Sequence, residues 1–447
     1  MKQLYSTLAI IFLFSFITLS QEKFFPKADN LVTYGVPQIP QNLVADVGRY
    51  SDFRSAGFVN WHPTKREMII TTRFSDVNQL HYVKFPGGAR KQITFFDEPV
   101  TSASFEPISG NYFLFNKDIG GNENFQIFKF NLSDGKYAML TDGKSQNGGV
   151  LWSNKKDKIV YSSTKRNGRD RDFYLMDPLN PAGEKLILQN QGGGWGVSDW
   201  SPDDTKLLVI QTISVNESNV YLLDLTTSEK KLVSPKIEGE KISNSGGRFS
   251  KDGSGIFFTS DKNSEFKRLI FLDLKSEKIS TLTENINWDV VEFDLSPNKE
   301  MLTYVINENG NRVVYLHNLI SGKTRKLDQL PFGIVRRVVW HNNNEDLAFT
   351  FSSAKMNSDV YSYNIKTKDL ERWTFSETAG INTENFSVPK LIKWNSFDGL
   401  EITGFLYSPP KTFTGKRPVI IDVHGGPEAQ SIPTFLGREN YLITELG

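Results

Sequence analysis

The strongest constraint on this chain is a repeat. An aromatic or large apolar residue followed by a polar turn recurs as Trp61-His62-Pro63, Phe105-Glu106-Pro107, Trp152-Ser153-Asn154, Trp200-Ser201-Pro202, Phe249-Ser250-Lys251, Leu295-Ser296-Pro297 and Trp340-His341-Asn342, at intervals of about 44 to 49 residues. That is the length of a four-stranded propeller blade. A second anchor keeps the same phase. Phe173 to Asp177, Val220 to Asp224, Leu269 to Asp273, Val314 to Asn318 and Val360 to Asn364 read as strands closed by Asp or Asn, side chains that can hydrogen-bond the turn backbone two residues on. Leu80 to Val83 and Phe125 to Phe128 hold the same position earlier. Runs of strand-forming residues such as Met68 to Thr72, Lys206 to Thr212 and Gly255 to Ser260 lie between the anchors, separated by gaps rich in Gly, Asn, Asp and Ser. Seven units fit between about Ser55 and Glu377. One unit cannot bury both faces of its small sheet, whereas seven stacked around an axis bury them against each other. The repeat therefore predicts an all-β seven-bladed β-propeller over 55–380. A β-helix or sandwich array is the alternative, and neither normally needs this repeat length.

A chain of 447 residues is long enough for more than one domain. Its formal net charge of +1 and the absence of a basic stripe argue against nucleic acid or an anionic membrane as partner. Cysteine is absent, which excludes disulfides, thiolate metal sites and a cysteine nucleophile. Residues 1–20 combine Lys2, an apolar run from Leu8 to Leu19 and a small residue at Ser20, the pattern of a secretory signal peptide. The run falls short of the roughly 20 residues that span a bilayer, so a retained anchor is the lesser alternative. The expected location is outside the cytoplasm, periplasmic or extracellular, with no stable membrane insertion after cleavage. A proline-punctuated lead-in, 21–54, then leads into the repeat.

Several polar loops invite a ligand. Asp118-Ile119-Gly120-Gly121-Asn122-Glu123 falls where a hairpin of the second unit is due; a solvated hairpin is the simpler reading, projection of Asp118 and Glu123 towards an amine or metal the sharper one. Lys165 to Asp172 alternates in charge and reads as a self-neutralising turn. Gly192-Gly193-Gly194 reads as an inter-blade connection, since no strand-to-helix pattern follows it. The five histidines, His62, His81, His317, His341 and His424, have no metal-ligand spacing, and no metal site is expected.

From about Val388 the repeat stops. Leu391 to Ser396 and Leu400 to Tyr407 alternate apolar and polar residues about Phe397-Asp398-Gly399, which predicts a β-hairpin. Pro418 to Pro427 follows, where Val419, Ile420, Ile421 and Val423 suggest a buried strand running into His424-Gly425-Gly426-Pro427. Two glycines permit a sharp turn and leave their N–H groups unshielded, and the proline fixes the exit. An ordinary strand-to-turn is one reading of these ten residues; the other is the glycine-rich loop that supplies an oxyanion donor in α/β-hydrolases. Thr434 to Leu446 presents one apolar helical face, with Gly447 as C-cap. The strand reads as central although little sheet follows it, so the sequence is expected to be a fragment of a longer chain.

A propeller preceding Trp394-Asn395-Ser396-Phe397-Asp398-Gly399, Gly404 and His424-Gly425-Gly426-Pro427, with Asp118 to Glu123 in support, resembles the prolyl oligopeptidase family of serine peptidases, in particular its acylaminoacyl-peptidase and dipeptidyl-peptidase-like branches. The resemblance implies that 388–447 is the N-terminal part of an α/β-hydrolase domain, incomplete here. It also implies a cofactor-free Ser-Asp-His hydrolase acting on short peptides admitted by the propeller. Carried onto these positions, it makes Gly425 and Gly426 the oxyanion loop, with the Gly426 N–H as donor, and His424 and Pro427 its supports. The nucleophile elbow, acid and base histidine should follow in that order after Gly447, so no catalytic residue of the triad lies in this chain and the piece alone should be inactive. A Tol-type binding propeller without catalysis is the alternative from another class, and an esterase the alternative substrate.

Overall fold

The computed structural model describes residues 23–426 and 428–447. Seven four-stranded antiparallel sheets follow one another along the chain, each in simple meander order. Blade 1 spans Gly57–Gln92, blade 2 Ala103–Met139, blade 3 Asn147–Leu188, blade 4 Trp195–Leu232, blade 5 Asn244–Thr281, blade 6 Val290–Lys326 and blade 7 Ile334–Arg372. The first strand of each blade is innermost, because these strands approach one another around the ring. The second strands are covered on both faces by neighbouring blades: Ile159–Ser163 and Gly255–Ser260 are buried at every residue. That is why those runs read as unbroken strand formers instead of alternating ones.

Both sequence anchors have a physical basis. The aromatic, or in blade 6 the leucine, at the end of the inner strand packs into the preceding blade, Phe105 with Val59 and Ile69, Trp200 with Val160 and Phe173, Leu295 with Phe257 and Leu269, Trp340 with Val305 and Val314. The serine after it closes the turn, its hydroxyl accepting the N–H five residues on: Lys206 to Ser201 at 2.9 Å, Gly255 to Ser250 at 3.0 Å and Met301 to Ser296 at 3.0 Å. In blades 3 to 7 the Asp or Asn ending the third strand accepts the N–H two residues on, as in Asp224 to Thr226 at 2.9 Å and Asn318 to Ile320 at 3.0 Å. A further device was not anticipated. In five blades a hydroxyl accepts a buried N–H of the third strand fourteen residues earlier, pairing Thr94 with Leu80, Thr141 with Ile127, Ser234 with Val220, Thr283 with Leu269 and Thr374 with Val360.

Among the described residues no strand is exchanged to close the ring. Blade 7 meets blade 1 through Phe58 N–H donating to the Thr350 hydroxyl (2.8 Å), Arg337 donating to the Val59 carbonyl (2.7 Å), and a shared core of Phe58, Trp61, Ala348, Val360 and Trp373.

Because strands alternate in direction, one face of the ring carries only the tight turns after the first and third strands. The other carries the hairpins between second and third strands and the inter-blade connections, and it receives the rest of the chain. Helix Gln41–Arg49 leads to Tyr50 and Phe53, which pack with Phe386, Phe435 and Tyr441 into a small second core.

The C-terminal segment departs from expectation in three respects. The hairpin forms, as Lys390–Asn395 paired with Glu401–Leu406. The central strand does not: Val419, Ile420, Ile421 and Val423 are in no strand and are 81, 71, 82 and 78% exposed. A strand exists only against a partner, and among the described residues this run pairs with none. The helix is shorter than the apolar pattern suggested, Glu439–Tyr441 continuing as a π-helical turn to Leu446, because Gly437 at φ +56° breaks the backbone ahead of it. An α/β-hydrolase sheet is thus not formed among the described residues. The signal-peptide pattern of 1–20 and the support role of Pro427 lie outside them.

Candidate functional site

Gly426 adopts φ +139°, and a Cβ there would sit 2.7 Å from the amide nitrogens of Glu428 and Ala429. Only glycine fits that corner. At Gly425 nothing lies within 4 Å of the position a Cβ would take. Among the described residues neither glycine N–H has a hydrogen-bond acceptor, and both residues are exposed. Nδ1 of His424 lies 3.0 Å from the Gly425 carbonyl, a contact between adjacent residues. The corner therefore offers bare N–H groups of the kind that can hold an anion.

The corner has a fixed neighbourhood. Gln430, a few residues on, accepts a hydrogen bond from the Asn307 side chain at 2.7 Å, tying the segment to the second strand of blade 6. Phe405 of the C-terminal hairpin rests edge-on against Phe332 at 6.1 Å, and together with Pro433 lies beside Gly310 at the blade 6 hairpin tip. At the far end of the segment Phe53 meets Phe435 at 4.8 Å, and the Tyr50 hydroxyl donates to Glu445. Burial and that carboxylate both push the Tyr50 hydroxyl up from its ordinary range. The Arg417 guanidinium satisfies the last carbonyls, Leu446 and Gly447, the latter at 2.7 Å.

No nucleophile and base come together here. Four of the five histidines are occupied elsewhere: His62 accepts the N–H groups of Thr64 and Lys65, His341 faces the carbonyls of His62 and Lys65, His81 the carbonyl of Gln79 and His317 the hydroxyl of Thr324. Among the described residues no histidine hydrogen-bonds to a serine, and no three His, Asp or Glu side chains cluster as metal ligands. The Asp118 to Glu123 loop is a hairpin turned in on itself. Asp118 is buried and accepts the Glu123 N–H at 3.0 Å, while Glu98 accepts the Gly120 N–H at 2.7 Å and pairs with Lys117 at 2.9 Å. These contacts, that of Gly120 foremost, lower the Glu98 carboxyl to about 2. Lys165 to Asp172 is self-neutralising, with Arg166 bound to both Asp170 and Asp172. Gly192 to Gly194 lies in the connection from blade 3 to blade 4.

The sequence did not reveal the Gln430–Asn307 tether, nor that Arg312 stands directly across the strand pair from Asn307.

Residues 100–376 match the family model for the prolyl oligopeptidase N-terminal β-propeller domain. Among solved structures, a prolyl endopeptidase from a study of inter-domain dynamics superposes with a TM-score of 0.67 at 13% identity, over 83% of this chain and 57% of the other. Apo prolyl oligopeptidase B from Galerina marginata superposes with a TM-score of 0.63 at 15% identity, over 81% and 57% respectively. The same enzyme bound to a 25mer macrocyclization substrate gives 0.65 at 14%, over 82% and 56%. At these identities the likeness is one of fold, and the chain spans a little over half the length of the proteins it matches. No curated protein sequence matches significantly.

Proposed function

Since the chain belongs to the prolyl oligopeptidase family through its β-propeller domain, we propose that it is the propeller and the opening segment of an exported serine peptidase that cleaves short peptides, in the manner of dipeptidyl- or acylaminoacyl-peptidases. The observation that carries this reading is the apolar run from Val419 to Val423, exposed and without a strand partner, ending in a glycine corner with free N–H groups. A run of β-branched residues held open to water is stable only if something covers it. The remaining strands of an α/β-hydrolase sheet, bearing the nucleophile, acid and base beyond Gly447, would do so. In that assembly the Gly426 N–H donates to the oxyanion of the tetrahedral intermediate and His424 steadies the loop. The propeller, on whose hairpin face the corner is tethered, gates access and excludes folded proteins.

The test is hydrolysis by the protein expressed from its whole reading frame. Short chromogenic peptides should be cleaved, a folded protein of the same sequence content should not, and a fluorophosphonate should label one serine outside residues 1–447. A folded protein that neither cleaves nor takes the label would leave the binding-propeller alternative in its place.

A further inference from the structure

Blade 6 is where the ring meets the segment that carries the glycine corner. Among the described residues a single hydrogen bond joins any blade to residues 388–447, Asn307 Nδ2 donating to Gln430 Oε1 at 2.7 Å. The one aromatic pair between ring and segment sets Phe405 against Phe332, in the connection that leaves blade 6. The blade 6 hairpin tip is fitted to the same segment. Gly310 there is buried at φ +83°, and a Cβ on it would come within 3.0 Å of the Phe405 ring and 3.5 Å of Pro433. Only glycine lets the tip lie so close to both side chains.

The Asn307 side chain does nothing for its own blade. Its backbone N–H goes to the Asp289 carbonyl at 3.0 Å, which holds the strand to the connection from blade 5. Its side-chain Oδ1 is buried with no partner among the described residues, and its Nδ2 is used on Gln430. That contact falls beside the proposed oxyanion donor. Gln430 is the fourth residue after Gly426, and the turn between them is tight, since a Cβ on Gly426 would sit 2.7 Å from the amide nitrogens of Glu428 and Ala429. A corner folded that closely onto Ala429 follows the residue next to it. A group that acts on a transition state has to be held to within about 0.5 Å by its supports, and a misplacement of about 1 Å is costly in rate.

We propose that Asn307 and Gln430 are positioning residues for the glycine corner: blade 6 holds the Gly426 N–H where it meets the oxyanion, so that the propeller contributes to turnover as well as to admission. This deepens the peptidase reading and rests on it.

The test is steady-state kinetics of the protein expressed from its whole reading frame, on a short chromogenic peptide. Asn307→Ala and Gln430→Ala should each lower kcat about three- to tenfold, the worth of one hydrogen bond, with KM kept within about twofold. The double variant should be no slower than either single one, because both remove the same bond. Gln430→Glu keeps the acceptor and should retain most of kcat, and Asn216→Ala, at the blade 4 hairpin tip, should change nothing. A peptide boronate, whose tetrahedral adduct on serine places an oxygen where the oxyanion forms, should lose affinity by the factor that kcat loses. The thermal unfolding midpoint should stay that of the parent, whereas a merely structural role would move it. A parent that hydrolyses the peptide, with variants that match its kcat, overturns the positioning role and leaves the peptidase reading standing. Losses that multiply in the double variant overturn the shared bond in the same way. A folded parent that hydrolyses nothing removes the peptidase reading and the positioning role together.

Discussion

Glu98 illustrates how single residues fix the hairpin face of this propeller. It joins the connection between blades 1 and 2 to the blade 2 hairpin through the Gly120 N–H and the Lys117 ammonium. Its folded pKa, about 2, lies below the ordinary value of 4.5. A depressed carboxyl stabilises the fold above its unfolded pKa, and that stabilisation disappears as pH falls through the folded value. Glu98→Gln should therefore lower stability at neutral pH, and its denaturation midpoint should converge on that of the wild type between pH 4.5 and 2. A constant difference across that window would contradict the linkage. Gly426 is the other decisive residue. In the whole-frame protein Gly426→Pro removes the proposed donor, and on the peptidase reading loss of one oxyanion donor should lower kcat about a hundredfold or more. An unchanged kcat with the fold intact would reject the assignment. Residue roles of this kind were partly legible: the Asp and Asn that close third strands act through local backbone, and local chemistry is written in the sequence. The Asn307–Gln430 tether joins residues 123 apart, and no local pattern encodes it.

Among the elements, blades were legible because each is a contiguous meander whose strands meet sequence neighbours. The strand expected at Val419 to Val423 is not formed, since among the described residues nothing pairs with it. Composition gave it β propensity, and propensity without an edge to pair with yields exposed chain. The terminal helix was over-extended for a related reason, since an apolar face was read across Gly437 without the φ that glycine would adopt. The hydroxyl that bonds a third-strand N–H fourteen residues away gives a prediction at this scale. Thr283→Val keeps the shape of the side chain but strands the buried Leu269 N–H, and should cost about 1–3 kcal/mol. Urea unfolding measures it, and Thr374→Val in blade 7 should behave alike. A neutral result at both positions would mean that the strands relax to satisfy themselves.

The described residues form a ring closed by side chains, with the lead-in before blade 1 and the segment after blade 7 packed over one face. Tyr50, Phe53, Phe386, Phe435 and Tyr441 bring the lead-in and the tail together over the hairpin face, and the Asn307–Gln430 hydrogen bond holds the segment just after the glycine corner against blade 6. No helix among the described residues is long and apolar enough to cross a membrane. The architecture leaves an apolar run and two bare N–H groups facing outward, and the central claim is that a hydrolase sheet covers the first and a substrate oxyanion fills the second. The most direct test is to read the coding sequence in frame beyond Gly447 for about 200 residues, the size of one further domain. The account predicts a Gly-x-Ser-x-Gly elbow there, followed by an aspartate and then a histidine. A stop codon directly after Gly447 would contradict it and make the propeller a binding module.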